Sequence, residues 1–332
     1  MQRILCVGTL IVDIINDAID RVLNPGEGVS TGIDAQPGGN AYNVAVDLMK
    51  LGLREKQAGC VGALGNDFFG ELFERELQCY GVIPLTRRIA GKRTSKNVIL
   101  QVKGEERRYH YDEGANVDLC SDFVMEQVRA FQPDVFYIGE IASLGETNQN
   151  LKQILETAKG MGCLTVVDVV PSSGGWEYFR EAAHWIDVLH CNDYEAKSLT
   201  DTGDAQAALA ALVKLGIALP IVSQGDQALL CAYQGRAWSI PAFRVESVDA
   251  TGAGDAFTAG LIKKLVESDG KWLEEKLGIE TKLLDAIVFG EAAGASCVTA
   301  LGCTPAVSEE NVMRLLDGQS RELFSRITSY KL

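Results

Sequence analysis

The sequence is short of positive charge. Its 332 residues hold 31 Lys and Arg against 45 Asp and Glu, a formal charge of −14. Gripping a nucleic-acid backbone takes a surplus of Lys and Arg, so a general nucleic-acid binder is excluded. One bound nucleotide is not, because its phosphates need only a local set of backbone N–H groups and a metal ion. Long apolar runs are missing too: no stretch of about 18 apolar residues occurs, and no segment is expected to span a membrane. Histidine is scarce, with only His110, His184 and His190, and no G-x-S-x-G is present, which leaves little material for a hydrolase triad. There is no G-x-x-x-x-G-K-[ST], which excludes a P-loop. The turn Gly8-Thr9-Leu10-Ile11 is not G-x-G-x-x-G, and Gly252–Phe257 lacks a third Gly and a well-spaced acid, so a dinucleotide site is not expected.

Nine cysteines are present: Cys6, Cys60, Cys79, Cys120, Cys163, Cys191, Cys231, Cys297 and Cys303. Their odd number and the lack of C-x-x-C spacing argue against a disulfide framework or zinc site and fit reduced thiols in a cytoplasmic protein. The apolar run Met1–Ile15 is interrupted by Asp13 and has no small-residue cleavage site, so it reads as a first strand, not a secretion signal.

What is present is the material of a globular α/β enzyme. Short apolar strands are expected at Ile4–Val7, Ala58–Val61, Val135–Ile138, Leu164–Val167, Val188–Cys191 and Ile221–Ser223. Helices are expected at Asn40–Leu51, Phe68–Cys79, Asn148–Lys159, Trp176–Ala183, Ala205–Leu215, Gly254–Val266 and Thr281–Thr299. This alternation predicts a mostly parallel sheet with helices on both faces. Two stretches break the rhythm. Asp17–Gln36 precedes the first long helix, and Lys96–Asp112 alternates like a hairpin with its turn at Lys103–Glu105. Both are expected in a small second sheet. No linker or internal repeat is visible, so residues 1–332 read as one domain.

The chemistry concentrates in Val248-Asp249-Ala250-Thr251-Gly252-Ala253-Gly254-Asp255-Ala256-Phe257. The glycines allow backbone to approach a ligand, and the helix that follows offers free N–H groups to an anion. A carboxylate at that helix start can take a hydroxyl proton while the amides hold phosphoryl oxygens. Alone, Asp255 could also be an acid stabilised by the helix dipole, the less favoured of the two readings. Pro37-Gly38-Gly39-Asn40-Ala41-Tyr42-Asn43 leads into another helix with neutral amides, which donate and accept as a polyol requires. Asn192-Asp193-Tyr194-Glu195 follows a strand and is also a capping-box pattern. Asp13, after the first apolar run, lies where open α/β sheets bind ligands.

These segments, with Val61–Gly70, resemble in order and over nearly the whole chain the motifs of the ribokinase-like, or PfkB, carbohydrate kinases. The resemblance implies a three-layer α/β/α fold with a β-sheet lid, formed here by residues of about 14–36 and 93–118. It implies transfer of the γ-phosphoryl group of ATP to a hydroxyl, most simply a primary one, with Asp255 as base and Gly252, Ala253 and Gly254 as the anion hole. The acceptor would meet Asp13, Gly38, Gly39, Asn40 and Asn43, with Glu140, Tyr109 and Asn116 as further candidates. Asn192 and Glu195 would organise Mg²⁺ and the triphosphate, Glu195 through water. Ser223, Gly225, Thr251 and Glu291 would meet the nucleotide. Relatives often carry Asn where this chain has Glu291, and a second Gly near Ala228, so the base contacts depart from the pattern. Asp249, with Gly302, is placed to hold a monovalent cation, so K⁺ activation is an expectation. Arg93, Arg107, Arg108, His110 and Tyr111 would belong to the lid surface, and the lid permits a homodimer. The acceptor is left open among fructose, 2-keto-3-deoxygluconate and ribose, with a nucleoside kinase or a non-catalytic sugar-binding regulator as the alternatives.

Overall fold

In a computed structural model, residues 2–105, 108–171, 175–267 and 279–332 are described. Arg107 of the expected lid surface lies outside them. The strands are β1 (Ile4–Val7), β2 (Ile11–Ile19), β3 (Ile33–Gly38), β4 (Ala58–Gly65), β5 (Ile83–Ile89), β6 (Ser95–Val102), β7 (Arg108–Asp112), β8 (Val135–Ile141), β9 (Leu164–Val169), β10 (Val188–Asn192), β11 (Leu219–Ser223), β12 (Leu229–Tyr233), β13 (Arg236–Ile240) and β14 (Thr328–Lys331). The helices are α1 (Asn40–Lys50), α2 (Phe68–Cys79), α3 (Ser121–Phe131), α4 (Glu146–Gln149), α5 (Leu151–Gly160), α6 (Glu177–Ala182), α7 (Asp193–Thr200), α8 (Ala205–Lys214), α9 (Ala253–Glu267), α10 (Ile279–Cys297) and α11 (Glu309–Arg326).

Ten strands form the main sheet, in the order β14-β13-β12-β11-β10-β9-β8-β1-β4-β5. From β5 to β11 all pairs are parallel, and β12, β13 and β14 add antiparallel pairs at one edge. β1 is buried along its whole length, as a strand covered on both faces must be. One side of the core joins Leu48, Phe257, Leu261 and Ile287 from α1, α9 and α10. The other joins Val128, Phe136, Phe179 and Leu209.

The first apolar run is not one strand. It splits at Gly8–Leu10: β1 joins the main sheet, and β2 crosses into a second sheet of order β3-β2-β6-β7. Gly8 makes room for the departure, since a Cβ there would lie 2.4 Å from the Asn40 Oδ1 atom. Asp13 therefore belongs to the small sheet and not to the end of β1, and that sheet takes Ile11–Ile19 and Ile33–Gly38 from this part of the chain, where a lid segment of about 14–36 was expected. The expected hairpin is present as antiparallel β6 and β7, with Lys96 opposite Asp112. The helix expected at Asn148–Lys159 is broken at Asn150 into α4 and α5.

The parallel strands end together on one edge. Asn192 is in register with Ser223, and His190 with Asp168. The β8/β9 ladder shifts register between Ile138 and Ile141, and Glu140 sits in that irregularity at φ +51°. These ends open the crevice in which α/β sheets bind ligands.

Candidate active site

Asp255 lies in the first turn of α9, where helix N–H groups lack intrahelical partners. The loop before it is held in place from several sides. Asp249 accepts the Thr251 N–H at Oδ1 (2.8 Å) and the Gly302 N–H at Oδ2 (2.9 Å), and the Cys297 thiol donates to the Thr251 carbonyl (3.4 Å). Gly252 has φ +79°, and a Cβ there would lie 2.6 Å from that of Cys303, so no other residue lets this loop pass. Of the three expected anion-hole amides, that of Ala253 is turned to the Ala250 carbonyl at 3.3 Å.

Asn43 brings the acceptor side to the same point. Its Nδ2 donates to Asp255 Oδ2 at 2.8 Å. The Oδ1 atoms of Asn40 and Asn43, the Asn97 Oδ1 and the Tyr137 hydroxyl are buried without hydrogen-bond partners among the described residues. Asp13 on β2 is buried and in register with Asn97 on β6 and Gln36 on β3. Glu140 accepts a hydrogen bond from the Thr9 hydroxyl. Gly39 is the N-cap of α1 at φ 85°, and Gly38 packs on the Asp13 carboxylate. The side chains assembled here are hydrogen-bonding amides and acids.

The crowding of acids sets their chemistry. Burial, then the negative charge of Asp168, pushes the Asp255 carboxyl up to about 7; the Asn43 hydrogen bond and His190 oppose the rise, and Asp13 adds to it. Burial, then the charges of Asp255, Asp168 and Asp13, holds Glu140 well above the usual carboxylate range. A carboxyl titrating near neutral pH is suited to take a proton from an alcohol.

Beside the α9 start lies a cavity of about 300 Å³, bounded by the β11 end, segment 242–247 and α10. Ser223, Gly225, Phe243, Gly254 and Glu291 line it. His190, also in its wall, is held at Nδ1 by Asp168 and at Nε2 by Ser223, each at 3.2 Å, and stacks on Phe257 with ring centroids 4.6 Å apart. Burial works against the imidazolium, but the Asp168 hydrogen bond and charge, with Glu195 and Glu291, hold its pKa above the ordinary value. Asn192 and Glu195 form a complete capping box on α7, with Glu195 Oε2 accepting the Asn192 N–H (2.8 Å) and Asn192 Oδ1 accepting the Glu195 N–H (2.9 Å). Burial, then Asp168, pushes Glu195 up to about 7.

Two expected residues stand apart. Tyr109 is 55% exposed on β7. Asn116 is fully buried, and both ends of its amide bond the Leu10 backbone (3.1 and 3.3 Å), so it fixes the turn between β1 and β2. Asp168, His190, Thr9 and Asn97 were missed. Asp168 sits inside Val166-Val167-Asp168-Val169-Val170 and His190 inside a buried strand; a charged residue in an otherwise apolar strand was the available signal.

The sequence profile of the pfkB family carbohydrate kinases matches residues 1–310. A similar characterised protein is fructokinase-1 of Zea mays, 30% identical over 300 residues that cover 85% of this chain and 88% of that one. Among solved structures, the ribokinase of Giardia lamblia superposes with a TM-score of 0.81 at 18% identity, covering 96% of this chain and 99% of the other. The ribokinase of Arabidopsis thaliana complexed with ribose and ATP superposes with a TM-score of 0.79 at 24% identity, covering 95% and 98%. Both structural likenesses concern the fold.

Proposed function

Because the chain belongs to the pfkB family of carbohydrate kinases, phosphotransferases with an alcohol group as acceptor, we propose that it moves the γ-phosphoryl group of ATP onto the primary hydroxyl of a neutral monosaccharide, with fructose as the first candidate. The observation that carries the reading is the Asn43–Asp255 hydrogen bond of 2.8 Å, which joins the amide helix α1 to the acid at the α9 start. Fructose leads because similar plant proteins are fructokinases, and because Asp13, Asn40, Asn43 and Glu140 bring acceptors and no positive charge for a sugar carboxylate.

Asp255 takes the hydroxyl proton as the oxygen attacks phosphorus in line. The Gly252 and Gly254 amides and the α9 N-terminus offset the negative charge that develops on the phosphoryl oxygens. The small sheet closes over the acceptor and keeps water from the reaction. Burial, then the charge of Asp168, raises the Glu195 pKa, and a carboxylate there is the hard oxygen donor that Mg²⁺ takes, directly or through water. When bound there, Mg²⁺ would neutralise charge on the nucleotide phosphates. Asp249 is already committed to two backbone amides, so pinning the loop is its first role; a monovalent cation beside it would add activation, tested by replacing K⁺ with a large organic cation.

The decisive experiment is a coupled ADP-release assay across fructose, ribose, 2-keto-3-deoxygluconate and nucleosides. Fructose-dependent turnover is expected. Turnover only with nucleosides would overturn the acceptor assignment, and tight sugar binding without turnover would overturn catalysis.

A further inference from the structure

The cavity beside the α9 start contains a group that phosphate chemistry does not use. Glu291 lies on α10; Ala295, four residues on, shares its helix face, and Val298, just past the end of α10, lines the same cavity. Its carboxylate has no hydrogen-bond partner among the described residues. The charge it feels is that of His190, but both ring nitrogens of His190 are already taken by Asp168 and Ser223. Phe243, Val245, Ala295 and Val298 give the cavity apolar walls, the setting in which a flat base stacks.

An ionised carboxylate only accepts hydrogen bonds, with two oxygens side by side. Adenine answers with one exocyclic amine among acceptor nitrogens and leaves the second oxygen unpaired. Guanine presents N1–H and N2–H₂ as two parallel donors, which match both oxygens. A base seated in the cavity takes this half-buried carboxylate out of water, and a site then discriminates against the ligand that leaves it unpaired. Resting on the reading of this cavity as the donor site, we propose that Glu291 admits guanine, so that the protein takes guanosine triphosphate as phosphoryl donor alongside ATP.

The test is calorimetric binding of the non-hydrolysable β,γ-imido analogues of ATP, GTP and ITP to the full chain. It is done at about pH 8, because burial raises the Glu291 pKa only to about 7. The GTP analogue is expected to bind within about tenfold of the ATP analogue, and the ITP analogue, which lacks the N2 amine, more weakly than GTP. Glu291→Asn should weaken the GTP analogue about tenfold or more relative to the ATP analogue. Glu291→Gln, of the same length, should do the same, and covers the case in which the shorter side chain unfolds the helix. A GTP analogue more than tenfold weaker than the ATP analogue in the unaltered chain, or a GTP-to-ATP ratio unchanged in both variants, overturns the proposal. A parallel loss of 2′-deoxy-ATP binding, abolished by Glu291→Gln, would assign the carboxylate to ribose and overturn it too. Ala295→Trp fills the slot and separates the two levels of the argument. Loss of every nucleotide with fructose binding kept supports the cavity as donor site. Unchanged nucleotide binding would remove that reading and this inference with it.

Discussion

At Asp255, burial and a crowd of acids make a carboxyl that titrates near 7 out of one that ordinarily titrates at 3.8. A base must be ionised to accept a proton, so turnover should rise with pH through about 7 and level off above it. Asp255→Asn should lower kcat by about 10²–10⁴-fold while sugar and nucleotide binding persist. Steady-state rates across pH, with calorimetric binding to the variant, check both points; near-normal turnover in the variant would remove Asp255 from the chemistry. The run Gly252-Ala253-Gly254-Asp255 made this residue legible, because glycines before a helix-start acid form a local pattern. Its pKa was not legible. Asp168 and Asp13 lie far off in sequence, and only the closing of the sheet brings their charges to bear.

Among the elements, legibility followed periodicity. The buried parallel strands and the helices α1, α2 and α8 follow clear apolar patterns and were found near their true ends. β5, β12, β13, β14, α3 and α11 were not. The exposed β14 has no buried face to print a pattern, and β5 is only partly buried. β2 was misread for a different reason: strand and lid share one apolar run, and the sequence does not show that the chain changes sheets at Gly8. The α7 start poses an element-scale test, because Asn192 serves both as cap and as nucleotide candidate. Asn192→Ala should cost about 0.5–2 kcal/mol of stability and raise the KM for ATP. Asn192→Ser keeps a capping oxygen, so it should recover the melting temperature without recovering KM. Thermal melts and ATP titrations of the two variants separate the roles; full recovery of KM by Ser would leave Asn192 a cap alone.

Across the whole molecule, the acids that serve the site work against the fold. Asp255, Glu195 and Glu291 are each raised to about 7, and burial also holds Glu140 and Asp47 well above the usual carboxylate range. Asp47, which has no part in the site, shows the cost of burial by itself. It is fully buried on α1, and neither carboxylate oxygen has a hydrogen-bond partner among the described residues. Burial, with the Asp255 charge adding and Lys50 opposing, holds its pKa well above 3.8. An acid whose native pKa exceeds its unfolded value binds more protons folded than unfolded, so its stabilising contribution is complete below the unfolded pKa and is lost as pH rises towards the native one. For Asp47 that loss begins near pH 4 and proceeds as the pH climbs above it. Asp47→Asn keeps the shape and removes the titration. The variant and the unaltered chain should therefore diverge progressively above pH 4, the variant gaining about 2 °C, relative to its acid-pH offset, for each kcal/mol that the titration takes from the unaltered chain. Differential scanning calorimetry from about pH 4 to 8 measures the gap. A constant difference across that range would mean that Asp47 does not titrate within it and that the strain on the fold comes from the site acids alone.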